Sequence, residues 1–282
     1  MAPPPKVSPP PNSRITAVPL TQETFSPFGT VITSPLPRDL ASIPSRPKSQ
    51  SQSSHSPPAV IANQSTALKY SPISPLQNGY TKHCPSGQGA SARMSMFSCF
   101  PRRLRQKRGG EGGNGEERGQ GREHLFDVSI LERHPYTTQT FIPLDLSSKR
   151  SVQSGRNTEQ LEPVYLVIVA PSLSGQNTTA KGANGEPVSV TNPPDLKNLR
   201  AFVARGGQAV TYGAGTWHAP MVVLGNRKVD FVVVQFANGV EGEDCQEVTI
   251  GDGLVVDVDV EVGGGGITGL WPGRGGVARS KL

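Results

Sequence analysis

Two short stretches of the chain place histidines near acidic, amide and glycine residues. The first contains Glu132, His134 and Gln139, and the second is a glycine-containing segment that ends at His218. Because side chains at positions i and i+2 of a strand point to the same face, Glu132 and His134 would face one interior. His218 enters from another strand pair after a glycine turn and could converge on them. Two imidazoles and a carboxylate with open positions could hold a divalent transition metal.

Each of these residues also has a purely structural explanation. His134 could cap the turn before Pro135, and His218 could be a turn histidine beside Trp217. The neighbouring glycines could simply permit positive φ in a hairpin. No base is paired with Cys245 in the sequence, so a nucleophilic role for it is disfavoured. The other histidines lie in or beside low-complexity sequence and are expected to be bystanders: His55, His83 and His124.

The elements that must position these side chains are predicted to be strands. Val164–Ala170 is a continuous apolar run of the kind found in a buried strand. Shorter strands separated by Gly or Asn turns are predicted over residues 199–204, 208–212, 221–224 and 229–236. Long helices are not predicted. The pattern indicates an all-β sandwich or barrel, jelly rolls included.

Composition predicts one core interrupted by unstructured sequence. The 282 residues include 32 Gly and 27 Pro, and only 34% are hydrophobic, so the whole chain cannot be compact. We expect a disordered tail over 1–13, one domain over 14–266, and a flexible tail over 267–282. Low-complexity inserts are expected at about 34–90 and 102–123.

Charge and cysteine content exclude several classes of protein. Residues 1–110 hold 13 Lys/Arg and 2 Asp/Glu, whereas residues 111–282 hold 15 and 20. The densest basic stretch lacks aromatic residues for stacking bases, so we expect no nucleic-acid partner. No apolar run approaches the ~20 residues of a membrane span. Three cysteines without a CxxC pair argue against a disulfide framework and favour a reducing compartment.

The two ends of the sequence bear on localisation. The proline-rich N-terminal segment has no apolar stretch of the secretory type. The sequence ends in Ser280-Lys281-Leu282, which has the form of a peroxisomal address read by an import receptor. We therefore expect a peroxisomal protein, with a cytoplasmic one as the alternative.

The two histidine stretches are similar to the paired metal motifs of cupins. The second cupin motif is glycine, five residues, proline, any residue, glycine, two residues and histidine, and here its places are taken by Gly207, Gly213, Gly215 and His218. Glycine thus replaces the proline. In the first motif, Glu132, His134 and Gln139 keep the spacing of His-x-His and a later Glu, with two of three ligand types changed.

A longer series of blocks resembles the ureidoglycolate lyase family, called ureidoglycolate hydrolase in older usage. The blocks follow the family's order and lie at 20–25, 28–32, 131–135, 139–143, 165–170, 199–203, 207–208, 212, 215–220, 231–234 and 245–247. The resemblance implies a cupin-like β-barrel, usually a homodimer, that splits ureidoglycolate into glyoxylate and urea in purine breakdown through allantoin. It also implies a divalent metal, with nickel associated with the family.

The implied reaction assigns roles to the residues. Cleavage needs a base for the substrate hydroxyl, an acid for the departing urea nitrogen and a cation for the carboxylate. His218 and His134 are expected to be catalytic bases or metal ligands, with Glu132 and Gln139 as further ligands or hydrogen-bond partners. Substrate contacts are expected from a set of four: Gln139, Tyr212, Trp217 and Arg133. The carboxylate clamp is Arg133, or else Lys82 or Arg93, although alternation turns Arg133 away from Glu132.

Two other functions stay open at this point, because a fold alone does not settle activity. The chain could be a catalytically inactive cupin-fold protein that binds a small acid. It could also be a metal-dependent sugar-acid or nucleotide-sugar isomerase on the same barrel.

Overall fold

The structure is a computed structural model of the chain. It describes residues 3–37, 40–44, 57–108, 122–144, 162–225, 227–258, 261–263 and 266–268. The predicted address Ser280-Lys281-Leu282 lies outside these residues. Among the described helices, none combines the length and the apolar character needed to cross a membrane.

Strands dominate the described chain, and the helices are single turns. In chain order the strands are β1 (Lys6–Val7), β2 (Ser13–Thr16), β3 (Val18–Pro19), β4 (Gly29–Ile32), β5 (Ala59–Ala62), β6 (Ala67–Tyr70), β7 (Ser91–Cys99), β8 (Arg105–Arg108), β9 (Arg122–Asp127), β10 (Ile130–Arg133), β11 (Gln139–Pro143), β12 (Val164–Ala170), β13 (Asn177–Lys181), β14 (Pro187–Thr191), β15 (Arg200–Arg205), β16 (Ala209–Tyr212), β17 (Trp217–His218), β18 (Val222–Leu224), β19 (Val229–Ala237), β20 (Gln246–Ile250), β21 (Leu254–Asp257), β22 (Glu261–Gly263) and β23 (Gly266–Thr268). The helices are α1 (Gln22–Phe25), α2 (Tyr80–His83) and α3 (Glu241–Asp244), with a 3₁₀ turn at Leu196–Asn198.

Two sheets face each other across an apolar core. The larger has ten strands in the order β14-β13-β1-β20-β10-β17-β12-β15-β3, with β18 also paired to β12. The smaller has five, in the order β4-β16-β11-β19-β7. Tyr165 of the larger sheet meets Phe231 of the smaller with ring centroids 5.1 Å apart. Strands β10, β11, β16 and β17 carry four of the predicted site residues into the interior between these sheets: Glu132, Gln139, Tyr212 and His218.

The central strand β12 is buried on both faces, which explains its unbroken apolar sequence. Tyr165, Val167 and Val169 point into the core between the two sheets. Leu166 and Ile168 point into a second core on the other side. A four-stranded sheet, β2-β21-β9-β8, covers that second core.

The predicted all-β, cupin-like fold is confirmed. Alternating burial along short strands and two apolar cores match the strand pattern expected from the sequence. Among the described residues, no hydrogen-bonded ladder joins the five-stranded sheet to the ten-stranded one. Two facing sheets therefore enclose the interior, which we call the cup. The sequence had suggested a barrel.

The structure differs from the expected insert over 34–90. Strands β5 and β6 form a hairpin within it, and α2 follows. The side chain of Tyr80 is fully buried and Cys84 is buried beside it. Although this segment is poor in apolar residues, these two anchor it against the domain, which a composition argument cannot detect.

The outer limits of the domain differ as well. Strand β1, within the expected tail 1–13, pairs with β20 through Val7 and Ile250. Strands β8 and β9 form a hairpin that takes up both ends of the expected insert 102–123.

Candidate functional site

Three predicted site residues from the larger sheet lie side by side on its inner face. Glu132 on β10 is directly paired with His218 on β17. His134 follows two residues after Glu132, and its ring centroid is 5.6 Å from that of His218. The alternation argument for Glu132 and His134, and their convergence with His218, therefore match the structure.

Tyr212 and Gln139 approach the same point from the smaller sheet. The Tyr212 ring stacks on His218 with centroids 4.0 Å apart and an interplanar angle of 10°. The Oε1 atom of Gln139 lies 3.1 Å from His218 Nε2, and Glu132 Oε1 lies 3.4 Å from the same nitrogen. His218 is 1% exposed, whereas the Glu132 side chain is 20% exposed, so the site opens to solvent on the Glu132 side.

Main-chain carbonyls fix the orientation of both imidazoles. His134 Nδ1 lies 2.6 Å from the carbonyl oxygen of Asp244, and His218 Nδ1 lies 3.0 Å from that of Thr216. A carbonyl only accepts hydrogen bonds, so each Nδ1 carries a hydrogen and each Nε2 points into the site. Metal-binding histidines commonly donate the hydrogen of the other ring nitrogen to a carbonyl or carboxylate in this way.

The inner nitrogens of the two rings lack suitable partners. His134 Nε2 is buried and has no hydrogen-bond partner among the described residues. In the neutral ring, His218 Nε2 faces two oxygen acceptors, those of Gln139 and Glu132. Because lone pairs opposing one another in a buried site are unfavourable, a proton or a cation between them would be stabilising.

The pKa values favour the protonation states that a metal ligand needs. Burial, and then the nearby charge of His218, lower the pKa of His134 to about 4, so its ring is neutral at neutral pH. Burial raises the pKa of Glu132, but the hydrogen bond with His218 and the charges of both histidines outweigh it, and the pKa falls below its ordinary value. Glu132 is therefore a carboxylate.

Three ligand atoms from Glu132, His134 and His218 lie within 4.8 Å of one another. A carboxylate and two imidazoles suit a divalent transition metal. The unpartnered Nε2 of His134 is the observation that fits such an ion best, since a coordinate bond would satisfy it. The residues present thus fit a metal, and the Gln139 oxygen faces the same position.

A second acidic group lies next to the first. Glu247 on β20 is directly paired with Glu132, and Cys245 lies close enough for the three to form another potential ligand set. Burial, followed by the charges of Glu132, Glu247 and Asp244, raises the pKa of Cys245 to about 12. Cys245 therefore stays a neutral thiol.

The structure does not bring Arg133 and Trp217 into the site. Both lie on the outer face of the larger sheet, where the Arg133 guanidinium sits 4.9 Å from the centroid of the Trp217 ring. Arg133 donates hydrogen bonds to Gln246 Oε1, Ser172 Oγ and two main-chain carbonyls. Alternation explains the outcome, because Arg133 follows Glu132 and Trp217 precedes His218. Their expected substrate contacts are not what the structure shows.

A surface cavity of about 210 Å³ lies elsewhere, beside β4, and is lined by residues that include Leu20, Val31, Tyr70 and Gln208. None of the predicted site residues lines it. The candidate site is therefore located by the titratable cluster and not by this cavity.

Tyr80, which was not among the predicted site residues, supports His134. The Tyr80 hydroxyl donates to Asp244 Oδ1 at 2.8 Å, and the carbonyl of the same Asp244 orients His134. Burial, and then the hydrogen bond to Asp244, raise the pKa of Tyr80, so the hydroxyl keeps its proton. Tyr80 lies in the expected insert, and no local sequence signal links it to His134.

Gln235 was also missed, because β19 reads as a buried apolar strand. Gln139 Nε2 donates to Gln235 Oε1 at 2.7 Å. The polar contacts of the site thus continue from His218 through Gln139 to Gln235. Lys82, an expected alternative clamp, is exposed on α2.

Comparisons with known proteins identify the family to which the chain is related. A family model described as ureidoglycolate lyase matches residues 12–257. Ureidoglycolate lyase of Saccharomyces cerevisiae is 32% identical over 245 residues, covering 86% of this chain and 96% of that protein. The Schizosaccharomyces pombe enzyme of that name is 32% identical over 234 residues, covering 83% and 90%. A Burkholderia mallei protein with the same name is 31% identical over 137 residues, covering 49% and 58%. The chain belongs to the ureidoglycolate lyase family.

Proposed function

We propose that this protein is a ureidoglycolate lyase, an enzyme that cleaves ureidoglycolate to glyoxylate and urea, as the reaction of purine breakdown through allantoin requires. The convergence of Glu132, His134 and His218 at a partly open point between the sheets carries the proposal. Relatives with this name cover most of the chain.

The reaction defines what the site must do. One carbon of ureidoglycolate bears a carboxylate, a hydroxyl and a ureido nitrogen. The hydroxyl loses its proton, the carbon–oxygen bond becomes a carbonyl as the carbon–nitrogen bond breaks, and the departing urea nitrogen gains a proton. The site therefore needs a group that lowers the hydroxyl pKa, a group that moves protons and a partner for the carboxylate.

The same proposal assigns Glu132, His134 and His218 as ligands of a divalent metal, with nickel the ion implied by the family resemblance. A bound ion would supply Lewis acidity that lowers the pKa of the substrate hydroxyl. The free Nε2 of His134 and the two oxygens facing His218 Nε2 favour this use over a base. Gln139 then positions His218 and adds a further polar group to the lining of the site.

Proton transfer is assigned to Glu247. Its carboxylate lies opposite Glu132 on the neighbouring strand and is exposed at the mouth of the site. Among the described residues it has no hydrogen-bond partner, so it is available to accept the hydroxyl proton and to return it to the urea nitrogen. We expect Glu247→Gln to retain metal binding and to lose on the order of 10²-fold in kcat. Unchanged kcat would remove Glu247 from the mechanism.

Metal binding can be measured without activity. Calorimetric titration of nickel(II) into the metal-stripped protein should show one ion per chain, and the ion should raise the Tm. His134→Ala and His218→Ala should abolish both effects, whereas His83→Ala, at an exposed position on α2, should leave them intact. If neither nickel(II) nor manganese(II) binds, the ligand assignment is wrong.

Activity is tested by following glyoxylate release from racemic ureidoglycolate. We expect release to stop at half of the substrate, because a fixed site selects one enantiomer. A protein that binds the substrate without releasing glyoxylate, with or without added metal, would be a small-acid-binding member of the fold.

We also propose that two copies associate, as the family resemblance implies. The outer face of the smaller sheet exposes Met94, Met96 and Ile142, which is an apolar surface of the kind found at interfaces. Sedimentation should give a dimer, and Met96→Glu should shift it toward monomer. A monomeric wild-type protein would overturn the proposal.

A further inference from the structure

Four side chains form a continuous row across the inner face of the smaller sheet. Gln139 pairs directly with Tyr212, and Gln235 pairs directly with Arg93. Gln139 and Gln235 occupy adjacent strands and are joined by a hydrogen bond of 2.7 Å. Directly opposed residues of neighbouring strands project from the same face of a sheet. The row therefore runs from Tyr212, against His218, to Arg93 on the edge strand β7.

Burial changes along this row. Tyr212 and Gln139 are buried, Gln235 is half-buried and Arg93 is exposed. The row thus leads from the candidate metal ligands to solvent at the rim of the cup.

The hydrogen bonds already made in the row leave donors at its outer end. Gln139 uses its oxygen on His218 and its amide nitrogen on Gln235 Oε1. Within the described part of the chain, the amide nitrogen of Gln235 and the guanidinium of Arg93 have no hydrogen-bond or ion-pair partner. Donors side by side, one of them charged, are suited to a carboxylate.

Two other arginines near the sheets are already engaged by protein groups, and Arg205, whose Nε and Nη2 have no hydrogen-bond partner among the described residues, lies on β15 of the larger sheet. Arg105 is paired with Asp127, and Arg133 is enclosed on the far side of the larger sheet. This leaves Arg93 as the arginine that shares a face and a row with Gln139. Neighbouring strands are ~4.8 Å apart, so the backbone of Arg93 on β7 lies two strand spacings, ~10 Å, from that of Gln139 on β11. The long side chain of Arg93 can shorten this distance to about the length of a small acid.

We propose that Arg93, with the amide of Gln235, binds the carboxylate of the substrate and so selects acids over neutral ureides. The inference rests on the proposed lyase function and deepens it. With the carboxylate at Arg93, the hydroxyl-bearing carbon lies toward His218 and Glu132. Arg93 acts in binding, so its loss should raise KM more than it lowers kcat.

The test compares Arg93→Gln with wild type in two ways. Steady-state kinetics should show KM for ureidoglycolate raised about tenfold or more, the scale of a lost charged hydrogen bond. Calorimetric titration with each product separates binding of the carboxylate from binding of the urea group. Glyoxylate, which has the carboxylate, should bind to Arg93→Gln at least about tenfold more weakly than to wild type. Urea should bind equally to both. Arg93→Lys keeps the charge but loses the bidentate geometry of the guanidinium, so its KM and glyoxylate affinity should fall between those of wild type and Arg93→Gln.

A matched control is Arg103→Gln, since Arg103 is an exposed arginine beyond the opposite end of β7. It should leave KM and both product affinities unchanged. The proposal is overturned if Arg93→Gln matches Arg103→Gln, or if it lowers kcat while glyoxylate affinity stays the same. Should the wild type show no turnover, the lyase proposal fails, and the glyoxylate titration still decides whether Arg93 holds a carboxylate.

Discussion

At the scale of single residues, the site depends on which atoms of its histidines are left free. Carbonyl acceptors hold both Nδ1 atoms, so the Nε2 atoms of His134 and His218 point toward Glu132. Residue types and i, i+2 spacing sufficed to predict these three residues and Gln139. They could not reveal Tyr80 or Gln235, because both reach the site through pairings with distant parts of the chain.

Tyr80 is expected to position His134 through Asp244. Tyr80→Phe removes one hydrogen bond to the Asp244 carboxylate while Asn238 and Gly239 still donate to it. We expect unfolding free energy to fall by about 1 kcal/mol and metal affinity by up to about tenfold. Chemical denaturation and nickel titration measure the two effects. Tyr70→Phe, on the β5–β6 hairpin, is the control, and equal behaviour of the two variants would contradict the positioning role.

Arg133 is expected to serve the fold rather than the substrate. Arg133→Lys keeps a cation but cannot satisfy Gln246, Ser172 and two carbonyls at once. We expect a loss of about 2–4 kcal/mol of unfolding free energy with KM for ureidoglycolate unchanged. A large rise in KM at unchanged stability would restore the carboxylate clamp first expected from the sequence.

At the scale of elements, a strand is easier to predict from sequence when both of its faces are buried. The run in β12 was predictable because both of its faces are covered. Strand β7 lies at a sheet edge and exposes Met94 and Met96, so its apolar residues do not mark a buried face. Cross-strand register, which decides that Arg93 lies beside Gln235, depends on pairing between remote segments and has no local signature.

The β8–β9 hairpin predicts which part of the second insert can be shortened. Arg108 pairs with Arg122 at the end of the ladder, so a tight turn can connect them. Replacing residues 109–121 by Asn-Gly, which suits a two-residue hairpin turn, should leave Tm and kcat unchanged. Removing residues 77–90 should instead prevent folding, because Tyr80 and the contacts of Ser86 with Glu243 are lost. Equal Tm values for the two deletion variants would contradict the prediction that only residues 77–90 are needed for folding.

At the scale of the whole molecule, the two sheets supply different parts of one reaction site. The larger sheet carries Glu132, His134, His218 and Glu247, whereas the smaller carries the polar row that ends at Arg93. The succession of short predicted strands and the family blocks made the fold class predictable. The separation of ligands and substrate contacts between sheets was not, since it requires the folded register. The peroxisomal address Ser280-Lys281-Leu282 lies outside the described residues and stays a prediction.

The most direct test of the account is glyoxylate release from ureidoglycolate by wild type, His218→Gln and His83→Ala, each loaded with nickel(II). His218→Gln approximates the volume of a fully buried side chain, and circular dichroism would verify its fold. We predict that wild type and His83→Ala turn over alike, while His218→Gln loses on the order of 10²-fold or more in kcat/KM. Full activity in a folded His218→Gln would show that the cluster of Glu132, His134 and His218 is not where the reaction occurs.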